Sequence, residues 1–299
     1  MENINLEKIK AEKHFNELAN FSLVIINKPS DWTSFDVVHK ILGMFRKFGI
    51  KKAGHLGTLD PMVTGVLPIC IGNATKIQEL FMHRDKVYTG KMKLHAKISQ
   101  KELEAGMKKL LGKIMQLPPV KSRVKRVVRE REIKKFELTS FDEKKLEASF
   151  ITEVQAGTYI RKLVHDLGEL LGVGAQMTEL KRTRAGLFTD KNKEYTTIET
   201  LSKLIAENNE KELRKLLIPA EIISSVLESY EVKPEFIKKL ENGSPLFKEM
   251  LKNTADAEKV KKNPDIFCLT CDNRLVETAK STNQFQNPEI IAKPVSVIK

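Results

Sequence analysis

The stretch KKAGHLGTLDPMVTGVLPICIGNATK, residues 51–76, sets one carboxylate, Asp60, between a glycine-punctuated loop and an apolar run. Pro61 disfavours the helical region for Asp60 and holds its backbone extended. Gly54 and Gly57 open backbone geometries closed to other residues, so the loop can approach a ligand closely. An isolated Asp-Pro pair reads as a turn. Here His55, Thr58 and Asp60 are held between glycines and a buried strand, which points to a ligand-facing loop without naming its reaction. A second candidate is AGTYIRK, 156–162, where Tyr159 and Arg161 stand at a strand end or a helix start. A buried arginine needs an anion, and a lone aspartate such as Asp60 is its natural partner. A tyrosine beside it could stack a nucleobase. Read alone, the same stretch is equally well a core tyrosine and a surface arginine. Tyr88, in DKVYTGKMKLHA, reads by itself as an ordinary strand residue. His39, His83 and His95 read as surface residues, and His165 as a structural residue in a leucine-rich helix.

Other chemistries find little support. Cys268 and Cys271 form a single C-x-x-C with no second Cys or His pair at zinc-finger spacing, so both read as strand residues and no metal is expected. There is no P-loop, dinucleotide fingerprint or nucleophile elbow. The net charge of +13 fits either a lysine-rich solvated surface or a polyanionic partner. Arginine blocks at KSRVKRVVRERE (121–132) and KRTR (181–184), beside strand-like segments, favour nucleic acid, because guanidinium forks suit phosphates and base faces. No stretch has the roughly 18 apolar residues of a membrane helix, and MENINLEKIKAEKHF has no apolar signal core. Three cysteines make no disulfide framework, so a reducing cell interior is the expected setting.

The elements that must position these residues follow from periodicity. Residues 5–20 predict one short amphipathic helix, and FSLVIINKP a buried strand stopped by Pro29. TSFDVVHKILGMFRKFG predicts a helix with Phe35, Val38, Leu42 and Phe45 inward, capped by Thr33 or Ser34 and ended by Gly49. VLPICIG reads as a strand, followed by a helix from about 74 to 83. Ser99 and Glu102 form a capping box. KLEASFITEV alternates Leu146, Ala148, Phe150, Thr152 and Val154 as a half-buried strand. GTYIRKLVHDLGELLG sets Ile160, Leu163, Val164, Leu167 and Leu171 on one helical face. Strands and helices mix without regular βαβ alternation, which argues an α+β fold. A boundary is expected near 225–232, ahead of the strand-like runs IFCLTC and AKPVSVI.

Together these residues resemble a family of pseudouridine synthases that includes the bacterial tRNA T-loop enzyme and the archaeal and eukaryotic dyskerin group. GHLGTLDPMVTGVLPICIGNATK resembles its catalytic motif. INKPSDWTS (26–34), the Tyr88 strand and AGTYIRKLVHDLGELLGVGAQMTELKRTRAG (156–186) follow in the matching order. QLPPVKSRVKRVVRERE (116–132) resembles the dyskerin branch, and the chain looks to lack the long RNA-gripping insertion of the bacterial enzyme. The resemblance implies a catalytic domain over 1–228, with an N-terminal extension 1–20 and a mixed, mainly antiparallel sheet flanked by helices. It implies a divergent PUA-like β domain over 229–299. It implies isomerisation of uridine in RNA, with no metal or other cofactor: Asp60 as the catalytic aspartate, Arg161 paired with it, and Tyr88 stacked on the extruded uracil. Tyr159 would line the pocket, His55 place RNA, Lys28 and Pro29 buttress the site, Leu180 pack against the base, and Lys181 and Arg182 lie near phosphates. The implied setting is a box H/ACA ribonucleoprotein in an archaeal-type cytoplasm, acting on rRNA or tRNA. Its partners would be a guide RNA, a small zinc-ribbon protein, a Gar-type protein and a kink-turn-binding ribosomal-protein homologue. A stand-alone tRNA enzyme is the alternative, and a non-catalytic RNA scaffold fits less well with Asp60, Tyr88 and Arg161 all present. The chain departs from the pattern at Leu56, where a small polar residue is usual, and at Arg123. No glycine follows Gly243, although turns of PUA domains are glycine-rich.

Overall fold

The structure, a computed structural model, describes residues 4–118, 125–282 and 287–298. Pro119 and Arg123, with the rest of 119–124 in the basic segment, lie outside them. One large sheet is built in chain order from β1 (Phe21–Lys28), β2 (Ala53–His55), β3 (Thr64–Gly72), β4 (Lys86–Leu94) and β5 (Gly112–Gln116). It continues with β6 (Arg129–Asp142), β7 (Glu147–Val154), β8 (Ala175–Ala185) and the short β9 (Phe188–Thr189), β10 (Tyr195–Thr196) and β11 (Ile218–Pro219). The order is β10-β1-β3-β8-β4-β7-β6-β5, with β11 on β1, β2 on β3 and β9 on β8. Pairing is parallel at β1–β10 and β3–β8 and antiparallel elsewhere, a mixed, mainly antiparallel sheet.

β1 is buried on both faces, which explains its unbroken apolar run. Val24 and Ile26 join the main core with the helices, while Leu23 and Ile25 join a second cluster on the opposite face. That second cluster also holds Cys268, Leu275 and Ile298, so a second sheet is seated against the back of the first. The second sheet comprises β12 (Ser229–Glu231), β13 (Leu246–Phe247), β14 (Ile266–Cys271), β15 (Arg274–Ser281) and β16 (Ile290–Val297), in the order β12-β14-β15-β16-β13. Cys268 and Cys271 are free, buried thiols on β14.

Several local expectations change. Residues 5–20 form two helices, α1 (Leu6–Glu12) and α2 (Phe15–Asn20). The break falls at Lys13, whose buried ammonium meets Glu221 at 2.6 Å, while Arg214 donates to the carbonyls of Lys10 and Lys13. α3 (Ser34–Phe45) is capped by Thr33, one of the two expected candidates, which forms a capping box with Asp36. It buries Val37, Ile41 and Phe45 and packs Val38 and Leu42 partly against the main core, so of the expected inward residues only Phe35 is exposed. The segment after β3 begins as a 3-10 turn, Asn73–Ile77, before α4 (Gln78–Met82). α5 (Gln100–Lys109) starts at the Ser99–Glu102 box. α6 (Ile160–Leu170) buries Ile160, Leu163, Val164 and Leu167. His165 stands on its outer side, 60% exposed, so it is a surface residue and not a structural one. Leu146 belongs to the turn before β7, with a left-handed φ of 55°.

Candidate active site

The loop carrying Asp60 joins β2 to β3, and its backbone is gripped along its length. Leu56 N–H donates to the Pro68 carbonyl at 2.9 Å, and Gly57 N–H to His55 Nδ1 at 3.3 Å. Ser34 Oγ accepts from Leu59 N–H at 2.8 Å and donates to the Leu59 carbonyl at 3.0 Å. Val63 N–H closes the turn on the Asp60 carbonyl at 3.0 Å. Beyond Asp60, the Pro61 carbonyl accepts from Lys28 Nζ at 2.8 Å and from Asp31 N–H at 3.0 Å. The residues either side of the carboxylate are thus fixed by groups from another segment, the arrangement a preorganised site requires.

Lys28 is fully buried at the end of β1, and its ammonium donates also to the carbonyls of Pro29, at 2.7 Å, and Trp32, at 2.6 Å. Burial holds its pKa below the usual lysine value, against the opposing pull of Asp31, Asp36 and Asp60. Pro29, half-buried, follows directly in the same clamp. The glycines divide their roles. Gly57 has φ 116° and Gly65 φ 101°, and a Cβ on Gly65 would lie 2.2 Å from the Arg182 carbonyl. Gly54 has an ordinary φ, and a Cβ there would meet only the end of the Gln78 side chain, 2.0 Å from its Oε1. Leu56 is buried in the second core cluster rather than facing solvent.

Asp60 pairs with Arg161 from the first turn of α6. Their side chains are 46% and 53% exposed, so the pair contributes only about 0–1 kcal/mol to folding. A cation in the first turn also opposes the helix dipole. The pair is therefore poorly explained as a stabilising device and well explained as an accessible, oriented carboxylate. The start of α6 is held by Gln116, a buried residue that closes β5. Its Oε1 accepts from Tyr159 N–H at 3.0 Å and its Nε2 donates to the Tyr159 carbonyl at 3.3 Å. Tyr159, half-buried, is the residue that precedes the helix.

β8 brings the remaining candidates to the same junction. Its Arg182 pairs in register with Gly65 on one side and Tyr88 on the other. Tyr88 and Leu180 are each 8% exposed and share the main core cluster with Leu59, Val63 and Ile160. Lys181 is half-exposed and paired with Asp190 at 3.0 Å. Arg182, expected near phosphates, is instead buried at 1% exposure. It donates from Nε to the Val66 carbonyl at 2.8 Å and from Nη2 to the Gly57 carbonyl at 3.0 Å. Burial first, and then the charge of Arg182, lower the pKa of His55, whose Nδ1 accepts from Gly57 N–H. Burial first, then Arg182, push Lys86 down to about 8, and that ammonium donates to the carbonyls of Met82 and Arg84. Two buried cations, Lys28 and Arg182, thus serve the backbone around the Asp60 loop, while Lys86 serves the turn that leads into β4. From sequence, Ser34 reads only as a candidate helix cap, and Gln116 and Lys86 have no role in the site. Arg182 carried a sequence signal, since it shares the strand face of buried Leu180. Among the described residues no group of three or more His, Cys, Asp or Glu could hold a metal, and no helix is long and apolar enough to cross a membrane.

An accessible, arginine-paired aspartate at the parallel seam of a mixed sheet is a defined architecture. Residues 46–160 match the N-terminal domain of the TruB family of pseudouridylate synthases, and residues 161–224 match the tRNA pseudouridylate synthase B C-terminal domain. The chain belongs to the TruB family, and its activity is that of a pseudouridine synthase. It is similar to a probable tRNA pseudouridine synthase B of Archaeoglobus fulgidus, 37% identical over 90% of this chain and 82% of the relative. One from Korarchaeum cryptofilum is 39% identical over 75% of this chain and 68% of the relative. Among solved structures it resembles a chain of a Cbf5-Nop10-Gar1 complex, with a TM-score of 0.81 and 30% identity over 97% of this chain and 88% of that one. A chain of an H/ACA RNP bound to a substrate RNA containing 2'-deoxyuridine gives 0.81 and 27% over 97% and 89%.

Proposed function

We propose that Asp60 is the residue that breaks the C1′–N1 glycosidic bond of a uridine in RNA, as part of a guide-directed particle. The observation that carries the assignment is the accessible Asp60–Arg161 pair on a loop whose flanking backbone is clamped. Arg161 orients the carboxylate. The target uridine leaves its stack to reach it. Asp60 then traps the oxocarbenium-like sugar, as glycosidase carboxylates do, or takes a sugar proton. The freed uracil turns, C5 joins C1′, and the proton on C5 is lost. Tyr88 and Leu180 form the floor on which the base packs, and Tyr159 lines its side. His55 and Lys181 contact RNA, while Lys28, Pro29 and Arg182 hold the loop.

We infer that residues 1–228 form the catalytic domain and 229–299 a PUA-like unit, and that the chain is the catalytic subunit of a box H/ACA particle in an archaeal-type cytoplasm. Likeness to subunits of such particles over 97% of this chain supports this, because it spans the C-terminal sheet as well. The partners are then a guide RNA, rRNA or tRNA substrates, a small zinc-ribbon protein, a Gar-type protein and a kink-turn-binding protein. A stand-alone tRNA enzyme is the second reading, favoured by the names of the archaeal relatives. Incubation with tRNA transcript alone, and with a guide–target pair plus partner proteins, separates them when pseudouridine is measured. Efficient modification of tRNA alone, with none of the guided target, would sink the guide-directed reading.

A further inference from the structure

Phe35 is the most exposed large apolar side chain among the described residues, at 67%. The core takes Val37, Ile41 and Phe45 from the same helix, so packing does not account for a phenylalanine at 35. Its position relative to Asp60 is fixed: the neighbouring Ser34 holds both the N–H and the carbonyl of Leu59, the residue before Asp60. Its ring lies over that of His39, one turn along α3, with centroids 6.3 Å apart and planes inclined by 24°. A second exposed apolar side chain, Met62 at 55%, stands two residues after Asp60. Isolated surface apolar residues need no explanation. Two of them on the pair of segments that clamp the carboxylate, one backed by a stacked ring, do.

We propose that the Phe35–His39 pair is a stacking platform for the base beside the target uridine. Turning a uridine out of its stack exposes a face of each neighbour, and an aromatic side chain can cover one of them. Stacking accepts any base, so the platform steadies the RNA without choosing sequence, and Met62 supplies an adaptable apolar contact on the Asp60 side. The proposal rests on Asp60 as the reacting carboxylate of the site.

The test is a cycle of protein and RNA changes. The intact chain, Phe35→Ala and Phe35→Trp are assayed on whichever RNA the intact chain modifies, tRNA transcript or guided target. Each RNA is made with its ordinary nucleotides and with an abasic residue before or after the target uridine. Phe35→Ala is expected to lower kcat/KM roughly tenfold on the ordinary RNA, chiefly through KM, with Phe35→Trp close to the intact chain. At one flank, the abasic RNA should be modified equally by the intact chain and Phe35→Ala. Alanine is a better helix former than phenylalanine at this exposed site, so the fold is retained. An equal loss on ordinary and both abasic RNAs overturns the platform, as does a loss explained by weaker retention of partner proteins. No modification of any RNA by the intact chain overturns the Asp60 reading itself, and the platform with it.

Discussion

Replacing Lys28 by methionine keeps the volume of the side chain and removes its ammonium. Three carbonyls lose a donor, those of Pro29, Trp32 and Pro61. The Pro61 carbonyl keeps the Asp31 amide, so the loss falls mainly on Pro29 and Trp32. A buried acceptor deprived of its partner costs about 1–3 kcal/mol, which puts the two at about 2–6 kcal/mol. Relief from burying the ammonium, shown by the lowered pKa of Lys28, offsets part of this. The expected net loss is about 2–3 kcal/mol by urea denaturation. The effect on catalysis should exceed what stability explains, because the Pro61 carbonyl next to Asp60 loses one of its two donors and the segment facing it loses its anchor. A displacement of about 1 Å at a reacting group costs on the order of 100-fold. At a temperature where the variant is fully folded, kcat should therefore fall roughly 10- to 100-fold with KM little changed. Stability within 0.5 kcal/mol of the parent together with unchanged kcat would refute the clamp.

Gly65→Ala forces φ 101° on a side-chain residue and drives its Cβ to 2.2 Å from the Arg182 carbonyl. Thermal or urea unfolding should show a loss of about 3 kcal/mol, and a neutral result would mean that the β3–β8 seam yields freely. Glu277, buried on β15 with both carboxylate oxygens unpaired, has its pKa pushed up by burial to about 8 from 4.5. The folded state therefore keeps a proton that the unfolded state has released between those values, and stability falls as pH rises through that window. Glu277→Gln removes this titration, so its stability relative to the parent should improve by about 3 kcal/mol between pH 4.5 and 7. Parallel pH profiles would show that Glu277 is not held protonated.

Sequence made the chemistry of the site more legible than its support. Asp60 and Arg161 stood out because proline, glycines and a helix start surround them, and the structure brings the two together. Lys28 was expected as a buttress and holds three carbonyls, whereas Ser34 and Gln116 were hidden because each acts on backbone, which carries no residue-specific signal. Ser34 is a small residue at a helix start, and Gln116 closes a largely exposed strand, yet each bonds both an N–H and a carbonyl of a distant segment. Arg182 was misplaced because a basic residue in a KRTR run suggests surface charge, whereas its long side chain reaches inward to two carbonyls. α3 carries a wide apolar face, about half of the helix opposite Asp36, His39 and Lys40, so more than one set of helical spacing fits it and tertiary packing chose between them. The sheets were legible as strands, but the parallel β3–β8 seam joins segments more than a hundred residues apart, a pairing that local periodicity does not encode.

Asp60→Asn tests the central claim most directly, since it removes the charge while keeping the shape of the side chain. Pseudouridine formation and RNA affinity would be measured side by side, on tRNA transcript and on guided target. Loss of all detectable pseudouridine, with RNA affinity within a few-fold of the parent, is the predicted result. Turnover near the parental rate would remove Asp60 from the chemistry and contradict the account.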